Sequence, residues 1–430
     1  MSQVLLIDYG ASRIKSILYN SIDDQPIALF ESAGSFIKYG NYSKIPGSFF
    51  SKSLILHLDY YSDKISILRK DCDVKIYLCS EMHGFCLLEQ DIFNSTYYYS
   101  WRFKEKSTDS ALEILNNRGF YSKTRMISRA GLPVVNILAS SLNNELGDKS
   151  TFLTLPQVIC HELGEHYNLA CKTLLHSSGF YTDLGAKEDA LDITGIDLPI
   201  SFPSPLDDYE KPLGFIGYKS HKYNLYLGFG DLQAAFLGSN LAQNEILINI
   251  GTGSQIISNS RNNSTFGLEE RPFFNNEKLK CVTHIPAGRF LNSWCKFYDT
   301  LNSNNNFWKE LSQLTYEDLE GFNIDIKFDL YLDSESEYFE QIDDLTSNNP
   351  RITPKVLLTS LMISFCNQYL SYLEDSITKN SRIILGGGIP NKVPVIGDII
   401  EKKMKRKVRI KKDEHDLTLI GLRNFINRGF

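Results

Sequence analysis

Residues 4–15, VLLIDYGASRIK, form the stretch that decides the fold. The run VLLI at 4–7 is continuously apolar, which is typical of a strand buried on both faces. A polar turn, DYGAS at 8–12, follows it, and residues 14–19, IKSILY, then predict a returning strand. The sequence therefore predicts a β-hairpin that carries the carboxylate of Asp8 and small residues at its tip.

Apolar strands that end in polar or glycine-rich turns recur in both halves of the chain. They are VKIYLC (74–79) before SEMHG (80–84), LYL (225–227) before GFGD (228–231), EILINI (245–250) before GTGS (251–254), and RIIL (382–385) before GGG (386–388). Helical periodicity follows at 232–242 and at 356–377. Since mixed α/β proteins place ligand sites on loops of this kind, the pattern predicts an α/β protein with its site at strand ends.

Length and charge narrow the class of protein further. The 430 residues are enough for two domains of ordinary size. A net charge of -6 gives no general attraction to nucleic acid or to an anionic membrane. The apolar stretch at 356–365 is shorter than the roughly 20 residues that a spanning helix needs. We therefore expect a small-molecule partner, no nucleic acid and no membrane.

The compartment and the oligomeric state are less constrained. The first residues lack the basic segment and the apolar core of a signal peptide. The eight cysteines are scattered without a CxxC pair, which favours reduced thiols. Both features predict a cytoplasmic protein. The sequence leaves the oligomeric state open, with a homodimer as one option.

Three of the loops together suit phosphoryl transfer, which needs backbone N–H donors, a carboxylate that anchors a metal, and a positioned base. The turn at 8–12 offers a carboxylate beside unobstructed N–H groups, and the loop at 251–254 can approach phosphates closely. The glycines at 386–388 offer open backbone on which a nucleotide can rest. Each loop alone is common as a tight turn, but three in this order favour a phosphate-binding enzyme.

This combination resembles the FGGY carbohydrate kinases, within the actin, Hsp70 and sugar-kinase superfamily. The resemblance extends from residue 4 to about residue 421. Its motifs are a first phosphate loop (Asp8, Gly10, Ser12, Lys15), a ketose-type sugar signature (80–84), a sedoheptulokinase-like catalytic segment GDLQAA (230–235), a second phosphate loop NIGTGSQ (249–255), the segment EERPFF (269–274), and an adenosine motif (386–388 with Asn391).

The resemblance implies a fold and a reaction. The fold is α/β, with two ribonuclease H-like domains and a cleft between them. Residues 1–238 form the domain with the sugar site and the first phosphate loop, and residues 239–430 form the ATP-binding domain. With ATP and Mg²⁺ as cofactors, the enzyme phosphorylates the terminal hydroxyl of a ketose. The first choice is sedoheptulose or a related heptulose, and a pentulose, as in xylulokinases, is the alternative.

The resemblance also assigns residues to roles. Asp231 is the catalytic base and touches the acceptor, and Asp8 anchors the metal. The remaining acceptor-binding residues are Glu81, Met82, His83, Trp101, Arg102 and Gln233. Of these, His83 would donate hydrogen bonds to sugar hydroxyls. The ATP-binding residues are Asp8, Gly10, Ser12, Lys15, Gly251, Thr252, Gly253, Gly386, Gly387, Gly388 and Asn391.

Four of these residues have plain structural alternatives. Asp231 precedes an apolar helical run, where Asp is a favoured N-cap. A histidine after a strand, such as His83, is often a satisfied structural residue. Asp8 suits an Asx turn that stabilises the hairpin, and Lys15 suits a solvated position on a strand.

The chain also departs from the family pattern at several positions. Ala11 stands where the first phosphate loop usually has Thr, and Glu81 replaces the usual Gln before Met-His-Gly. Phe103 replaces the Asp that follows Trp-Arg, and Ile389-Pro390 replaces small residues. These changes put the exact sugar in doubt. We expect a higher kcat/KM for a heptulose than for D-xylulose. The substitution Phe103→Asp should shift the substrate preference toward the pentulose.

Two rival functions follow from the same sequence. A non-catalytic sugar or nucleotide sensor would keep this fold, although Asp8 and Asp231 disfavour it. An actin- or Hsp70-like ATPase would share the phosphate loops but should lack the segments at 82–84 and 230–231.

Overall fold

A computed structural model describes most of the chain. The described residues are 3–20, 25–40, 43–68, 73–89, 96–164, 168–182, 187, 190–206, 212–219, 221–226, 228–242, 244–259, 269–285, 287–301, 306–318, 324–328, 342–347, 353–373, 381–411 and 416–428. Parts of the predicted surface loops at 258–268 and 302–306, and Leu227 of one predicted strand, lie outside this set.

Strands and helices are interspersed along the chain. The strands are β1 (Gln3–Tyr9), β2 (Arg13–Asn20), β3 (Pro26–Ala33), β4 (Lys44–Pro46), β5 (Val74–Ser80), β6 (Phe85–Glu89), β7 (Tyr97–Tyr99), β8 (Ser150–Leu153), β9 (Leu169–Cys171), β10 (Ile200–Ser201), β11 (Ser204–Leu206), β12 (Gly214–Tyr218), β13 (His221–Leu225), β14 (Phe229–Gly230), β15 (Glu245–Ile250), β16 (Ser254–Asn259), β17 (Glu269–Pro272), β18 (Lys278–Ile285), β19 (Ile324–Phe328), β20 (Ile342–Ser347), β21 (Arg382–Gly386) and β22 (Val408–Ile410).

The helices are α1 (Ser35–Tyr39), α2 (Ser48–Leu68), α3 (Thr108–Asn117), α4 (Phe120–Thr124), α5 (Pro133–Leu142), α6 (Leu155–Glu162), α7 (Lys172–His176), α8 (Ala190–Thr194), α9 (Asp231–Ser239), α10 (Gly288–Leu301), α11 (Phe307–Ser312), α12 (Pro354–Leu373), α13 (Gly388–Lys392), α14 (Val395–Met404) and α15 (Leu417–Arg428). Two 3₁₀ segments, Phe274–Asn276 and Tyr316–Asp318, complete the set.

The chain divides into two compact units. The first unit comprises Met1–Gly238, Glu269–Lys278 and Thr418–Phe430, and the second comprises Ser239–Leu268 and Leu279–Leu417. The sequence places a domain boundary after residue 238, but it assigns everything beyond that point to one domain. Two short segments therefore return to the first unit from the later part of the chain.

The first unit is built on a seven-stranded sheet with the order β12-β13-β5-β1-β2-β3, in which β14 also pairs with β5. The predicted hairpin is present as β1 and β2, which pair in antiparallel register. All seven residues of β1 are buried, as its continuous apolar run predicts. The pairs β1–β5 and β14–β5 are parallel. Because parallel strands end at the same edge, this sheet gathers three strand ends in one place.

The second unit has a mixed sheet in which β18, β16, β15, β21 and β22 follow one another. Its two central strands, β15 and β21, are parallel, with Asn249 opposite Gly386. The long helix α12 supplies much of the core through fully buried Leu361, Phe365 and Tyr369. Of the helices in the described residues, α12 is the one that is long and apolar enough to cross a membrane, and 61% of that stretch is buried in the protein. It therefore serves as a core helix, longer than the predicted apolar stretch at 356–365.

Helix α15 packs against α9 in the first unit at very short range. A Cβ atom on Gly421 would lie 1.8 Å from the Ala234 carbonyl oxygen, so only glycine permits this approach. The Asn424 side chain adds a hydrogen bond of 2.9 Å to the Leu237 carbonyl oxygen. Helix α15 carries Thr418 and α9 begins at Asp231, so this packing holds two residues of the candidate site.

We expect Gly421→Ala to destabilise the protein by about 1–3 kcal/mol, because the new methyl group forces the two helices apart. Urea denaturation followed by circular dichroism measures the change. Gly217→Ala is the matched control, since a Cβ there meets nothing within 4 Å. Equal stability of the two variants would contradict the packing described.

Candidate active site

Three predicted motifs meet at one edge of the first unit's sheet. Asp8 of β1 is opposite Cys79 of β5, and Tyr9 is opposite Ser80. Gly230 of β14 is also opposite Ser80, on the other side of β5. The residues that follow Ser80 and Gly230 are Glu81 and Asp231, so three carboxylates leave the sheet at neighbouring positions. The sequence predicts each motif, and the parallel pairing brings them together.

Asp231 is partly buried, and the pKa of its carboxyl group lies near neutral pH. It is the first residue of α9, one position inside the helix from the N-cap that is its structural alternative. Burial raises its pKa to about 7, the negative charges of Asp8 and Glu81 add to the rise, and the backbone amide of Leu232 acts against it. A carboxyl group of this kind can accept a proton near neutral pH, which an ordinary Asp does less readily. The helix start and the base role are therefore compatible.

Asp8 is suited to hold a divalent cation. It is 7% exposed, and the Thr418 hydroxyl donates a 2.7 Å hydrogen bond to its Oδ2 atom. Within the described part of the chain, no group of three or more His, Cys, Asp or Glu side chains encloses a metal. Mg²⁺ fits here nonetheless, because it is commonly held by one or two carboxylates together with substrate phosphates and water. The repulsion between Asp8 and Asp231 also favours a cation between their charges.

The first phosphate loop is fixed by its neighbours. Lys15 lies directly across the hairpin from Asp8, so both side chains leave the same face of the sheet. The Ala11 and Ser12 carbonyl oxygens accept hydrogen bonds from Phe36 and Gly34, at 2.7 and 2.9 Å. Gly10 has no room for a side chain, since a Cβ there would lie 2.7 Å from the Arg13 carbonyl oxygen.

Glu81 belongs to a cluster with the buried Tyr98 and the partly buried Arg102. Burial raises the pKa of Glu81, against the effects of the positive charge on Arg102 and of a hydrogen bond with the Tyr98 side chain. Arg102 Nη2 is buried without a hydrogen-bond partner among the described residues. Buried polar atoms without partners are uncommon in proteins, and a polyhydroxylated ligand would supply such partners.

Replacing Glu81 by Gln should shift the pH at which Asp231 ionises. The charge of Glu81 raises the pKa of Asp231, so its removal lowers that pKa. In the reaction that the family resemblance implies, kcat rises with pH as the base ionises, and this rise should then move to lower pH. Rate profiles between pH 5 and 9 measure the shift. An unchanged profile would show that the Glu81 charge does not act on the base.

Met82 and Gln233 lie beside the start of α9. A Cβ on Gly230 would be 2.7 Å from Met82 Sδ and 2.6 Å from Gln233 Oε1, so both side chains pack directly against this glycine. Gln233 is fully buried, and its Nε2 donates to the Pro272 carbonyl oxygen at 2.9 Å. Its Oε1 atom finds no hydrogen-bond partner in the described residues.

His83 is buried, and its geometry changes the predicted role. Its Nδ1 atom lies 3.0 Å from the Ser177 carbonyl oxygen, so Nδ1 carries a proton and donates. Burial lowers the pKa of His83 to about 3, and the charges of Arg271 and Arg129 lower it further, so the ring is neutral. In a neutral ring of this tautomer, Nε2 is an acceptor. The predicted donation to a sugar hydroxyl would require the other tautomer.

Trp101 and Arg102 follow β7. The Arg102 guanidinium lies 5.0 Å from the centre of the Phe36 ring, and its Nη1 donates to the Gly40 carbonyl oxygen at 3.0 Å. Trp101 is partly buried. Phe103, which replaces the family's Asp, packs on the ring of Tyr99 with 4.7 Å between the ring centres.

The second phosphate loop lies in the second unit and is supported by α10. The amides of Gly288 and Arg289 donate to the carbonyl oxygens of Gly251 and Thr252, at 3.0 and 3.1 Å. A Cβ on Gly288 would lie 2.6 Å from the Gly251 oxygen, so this support needs glycine. The Gly251 amide bonds the Gly253 carbonyl oxygen, whereas Thr252 and Gly253 are exposed.

The predicted adenosine motif is adjacent to this loop in the same unit. The parallel pairing of β15 and β21 places Asn249 opposite Gly386, so both loops begin at the same strand edge. A Cβ on Gly387 would meet the Ile250 carbonyl oxygen at 2.4 Å, whereas Gly388 is open to its surroundings. The Asn391 side chain donates to the Gly387 carbonyl oxygen at 3.2 Å. Its amide therefore supports the glycine turn.

Sequence reasoning missed three residues beside this site: Thr418, Glu269 and Arg271. Thr418 hydrogen-bonds Asp8 across 410 positions of sequence, a separation at which no local pattern could reveal the contact. Glu269 and Arg271 lie in the segment EERPFF, which the sequence singles out without assigning a role. Both side chains are almost completely buried, at 1% and 0% exposure.

Solved structures share this fold over nearly the whole chain. A xylulose kinase from Rhodospirillum rubrum is 14% identical with a TM-score of 0.74, covering 100% of this chain and 90% of that chain. A gluconate kinase from Lactobacillus acidophilus is 14% identical with a TM-score of 0.71, covering 98% and 88%. A glycerol kinase from Plasmodium falciparum, solved with ADP, is 12% identical with a TM-score of 0.69, covering 98% and 88%.

These likenesses show that the chain has the fold of the carbohydrate kinases, and they confirm the predicted α/β fold class. No protein-family model and no curated protein sequence matches the chain.

Proposed function

We propose that this protein is an ATP-dependent carbohydrate kinase of the FGGY type that phosphorylates the terminal hydroxyl of a ketose. The observation that carries the proposal is Asp231. Its partly buried carboxyl group, with a pKa of about 7, lies beside Asp8 and Glu81 at an edge where three strands end. Carboxyl groups with a strongly shifted pKa are common among catalytic bases.

In the proposed reaction, the acceptor hydroxyl donates its proton to Asp231 as its oxygen attacks the γ-phosphorus. The bond from that phosphorus to the bridging oxygen breaks, and ADP leaves with the bond's electron pair. The transition state of phosphoryl transfer is loose, so the main work of Asp231 is to orient the hydroxyl and to accept the proton late. Asp8 holds Mg²⁺, which when bound offsets the negative charge on the phosphates. In the second unit, Gly251, Thr252 and Gly253 are predicted to contact phosphate, and Gly386–Gly388 to contact the nucleoside.

The acceptor is the finer part of the proposal. The solved kinases of this fold act on xylulose, gluconate and glycerol by their names, so the fold supports a sugar or polyol without selecting one. The ketose-type motif at 82–84 and the Gly-Asp-Leu-Gln segment favour a ketose, with sedoheptulose first and D-xylulose second. The described cysteines form no disulfide bonds, and ATP is a cytoplasmic substrate. Both points support a cytoplasmic location in this proposal.

A coupled assay of ADP release tests the proposal. Purified protein with ATP and Mg²⁺ is given sedoheptulose, D-xylulose, D-gluconate, glycerol or no acceptor. We expect turnover that depends on a ketose, with the highest kcat/KM for the heptulose. Glycerol or gluconate as the best acceptor would overturn the ketose assignment. Binding of sugar and nucleotide without turnover for any acceptor would instead indicate a sensor.

A further inference from the structure

Arg271 is an arginine with no exposure to solvent that keeps two hydrogen-bond donors unused. Its Nη2 atom donates to Glu269 Oε2 at 3.2 Å, and both side chains are buried. Among the described residues, Nε and Nη1 have no hydrogen-bond partner. Burying such donors without an acceptor is costly, so an acceptor group is expected to occupy this position when the site is filled.

The charges around Arg271 indicate what kind of acceptor this is. Glu269 also accepts hydrogen bonds from Arg129 and, at 2.8 Å, from the Ile127 amide. Arg129 is 19% exposed, so one of the two arginines that share Glu269 is partly solvated. Glu269 offsets part of the positive charge of the buried Arg271. The unused donors of Arg271 can therefore bind the oxygen atoms of a neutral, hydroxylated ligand.

The guanidinium group offers its remaining N–H groups in more than one direction. In Arg271 one hydrogen of Nη2 is engaged by Glu269, whereas Nε and Nη1 have no partner among the described residues. Nε and Nη1 point in different directions, so they suit two separate oxygen atoms. Neighbouring hydroxyl or carbonyl oxygens of a sugar chain provide these.

The position of Arg271 relates it to the proposed acceptor site. The next residue, Pro272, accepts the hydrogen bond from Gln233, which lies two residues into the helix that Asp231 begins. The charge of Arg271 acts on His83, another residue of the proposed acceptor site. Arg271 thus lies near His83 and near Gln233.

We propose that Arg271 binds two oxygen atoms of the acceptor at the end remote from the reacting hydroxyl, and so selects long ketoses over short ones. This inference rests on the proposed kinase function. It adds a residue that the sequence pattern does not assign, and it specifies the acceptor as a neutral polyhydroxy chain that extends from Asp231 to Arg271.

The test compares acceptors of different length in Arg271→Lys and Arg271→Met. Lysine keeps the positive charge beside Glu269, so we expect Arg271→Lys to fold. Its melting temperature, compared with that of the wild type, verifies that it does. We expect kcat/KM for sedoheptulose to fall about 10- to 100-fold, mainly through KM, as the loss of hydrogen bonds from a charged group predicts. For the four-carbon ketose erythrulose, kcat/KM should change little, so the selectivity for the longer sugar is lost.

Arg125→Met is the matched control, because Arg125 has an exposed side chain in the same region. It should leave the selectivity unchanged. An equal fall for both ketoses in Arg271→Lys would indicate a structural role and overturn the inference, as would no fall for either. If the wild-type protein phosphorylates no acceptor, the proposed kinase function fails instead, so the two failures are distinguishable.

Discussion

Asp231→Asn should lower kcat by about 10²- to 10⁴-fold, the range typical for the loss of a general base. Asparagine keeps the size and much of the hydrogen bonding of the side chain but cannot accept the hydroxyl proton. The loss should therefore fall on kcat, while the binding of ATP and of the sugar persists. Removing a carboxyl group whose pKa is raised to about 7 should not weaken folding.

The measurements are steady-state kinetics and, for binding, isothermal titration with each substrate. Asp109→Asn is a suitable control, because Asp109 is an exposed carboxylate in the first turn of α3. It should retain wild-type kcat. Activity of Asp231→Asn within a few-fold of the wild type would reject Asp231 as the base and leave it as the first residue of a helix.

Asp8→Ala should reduce kcat/KM for Mg-ATP by about 100-fold and raise the Mg²⁺ concentration needed for half-maximal rate. The variant removes the carboxylate proposed to anchor the metal at the phosphates. It also removes a negative charge that raises the pKa of Asp231, so the residual rate should reach its plateau at lower pH. Sugar affinity should change little.

Titration of Mg²⁺ against turnover tests this prediction. Thr418→Val provides the comparison, because it removes the hydrogen bond to Asp8 but keeps the carboxylate. That variant should show a much smaller change in the Mg²⁺ requirement. An unchanged requirement in Asp8→Ala would show that Asp8 only shapes the hairpin.

The sequence predicts the hairpin, the strand-end loops and the α/β class well, because each is a local pattern. The apolar run of β1, the turn at Asp8 and the strand before Glu81 can all be recognised within about ten residues. The parallel pairing that sets Tyr9 and Gly230 opposite Ser80 is a long-range feature, although strand-end motifs make it an expected one.

Other features could not be predicted because they depend on distant parts of the chain. Thr418 reaches Asp8 only after the chain returns to the first unit. The tautomer of His83 depends on the Ser177 carbonyl oxygen, 94 positions away. The ionisation of Asp231 follows from burial and from the charges of Asp8 and Glu81. Each of these requires the three-dimensional arrangement, and each bears directly on the chemistry.

The identity of the phosphorylated product tests the central claim most directly. The reaction of ATP, Mg²⁺ and sedoheptulose with the wild-type protein can be followed by ³¹P nuclear magnetic resonance, with Asp231→Asn in parallel. We predict ADP and a sugar phosphomonoester whose phosphorus couples to the protons of a terminal CH₂ group, with the signal absent or strongly reduced in the variant. Formation of inorganic phosphate alone, or equal product from both proteins, would contradict the proposal that this protein transfers phosphate to a ketose with Asp231 as the base.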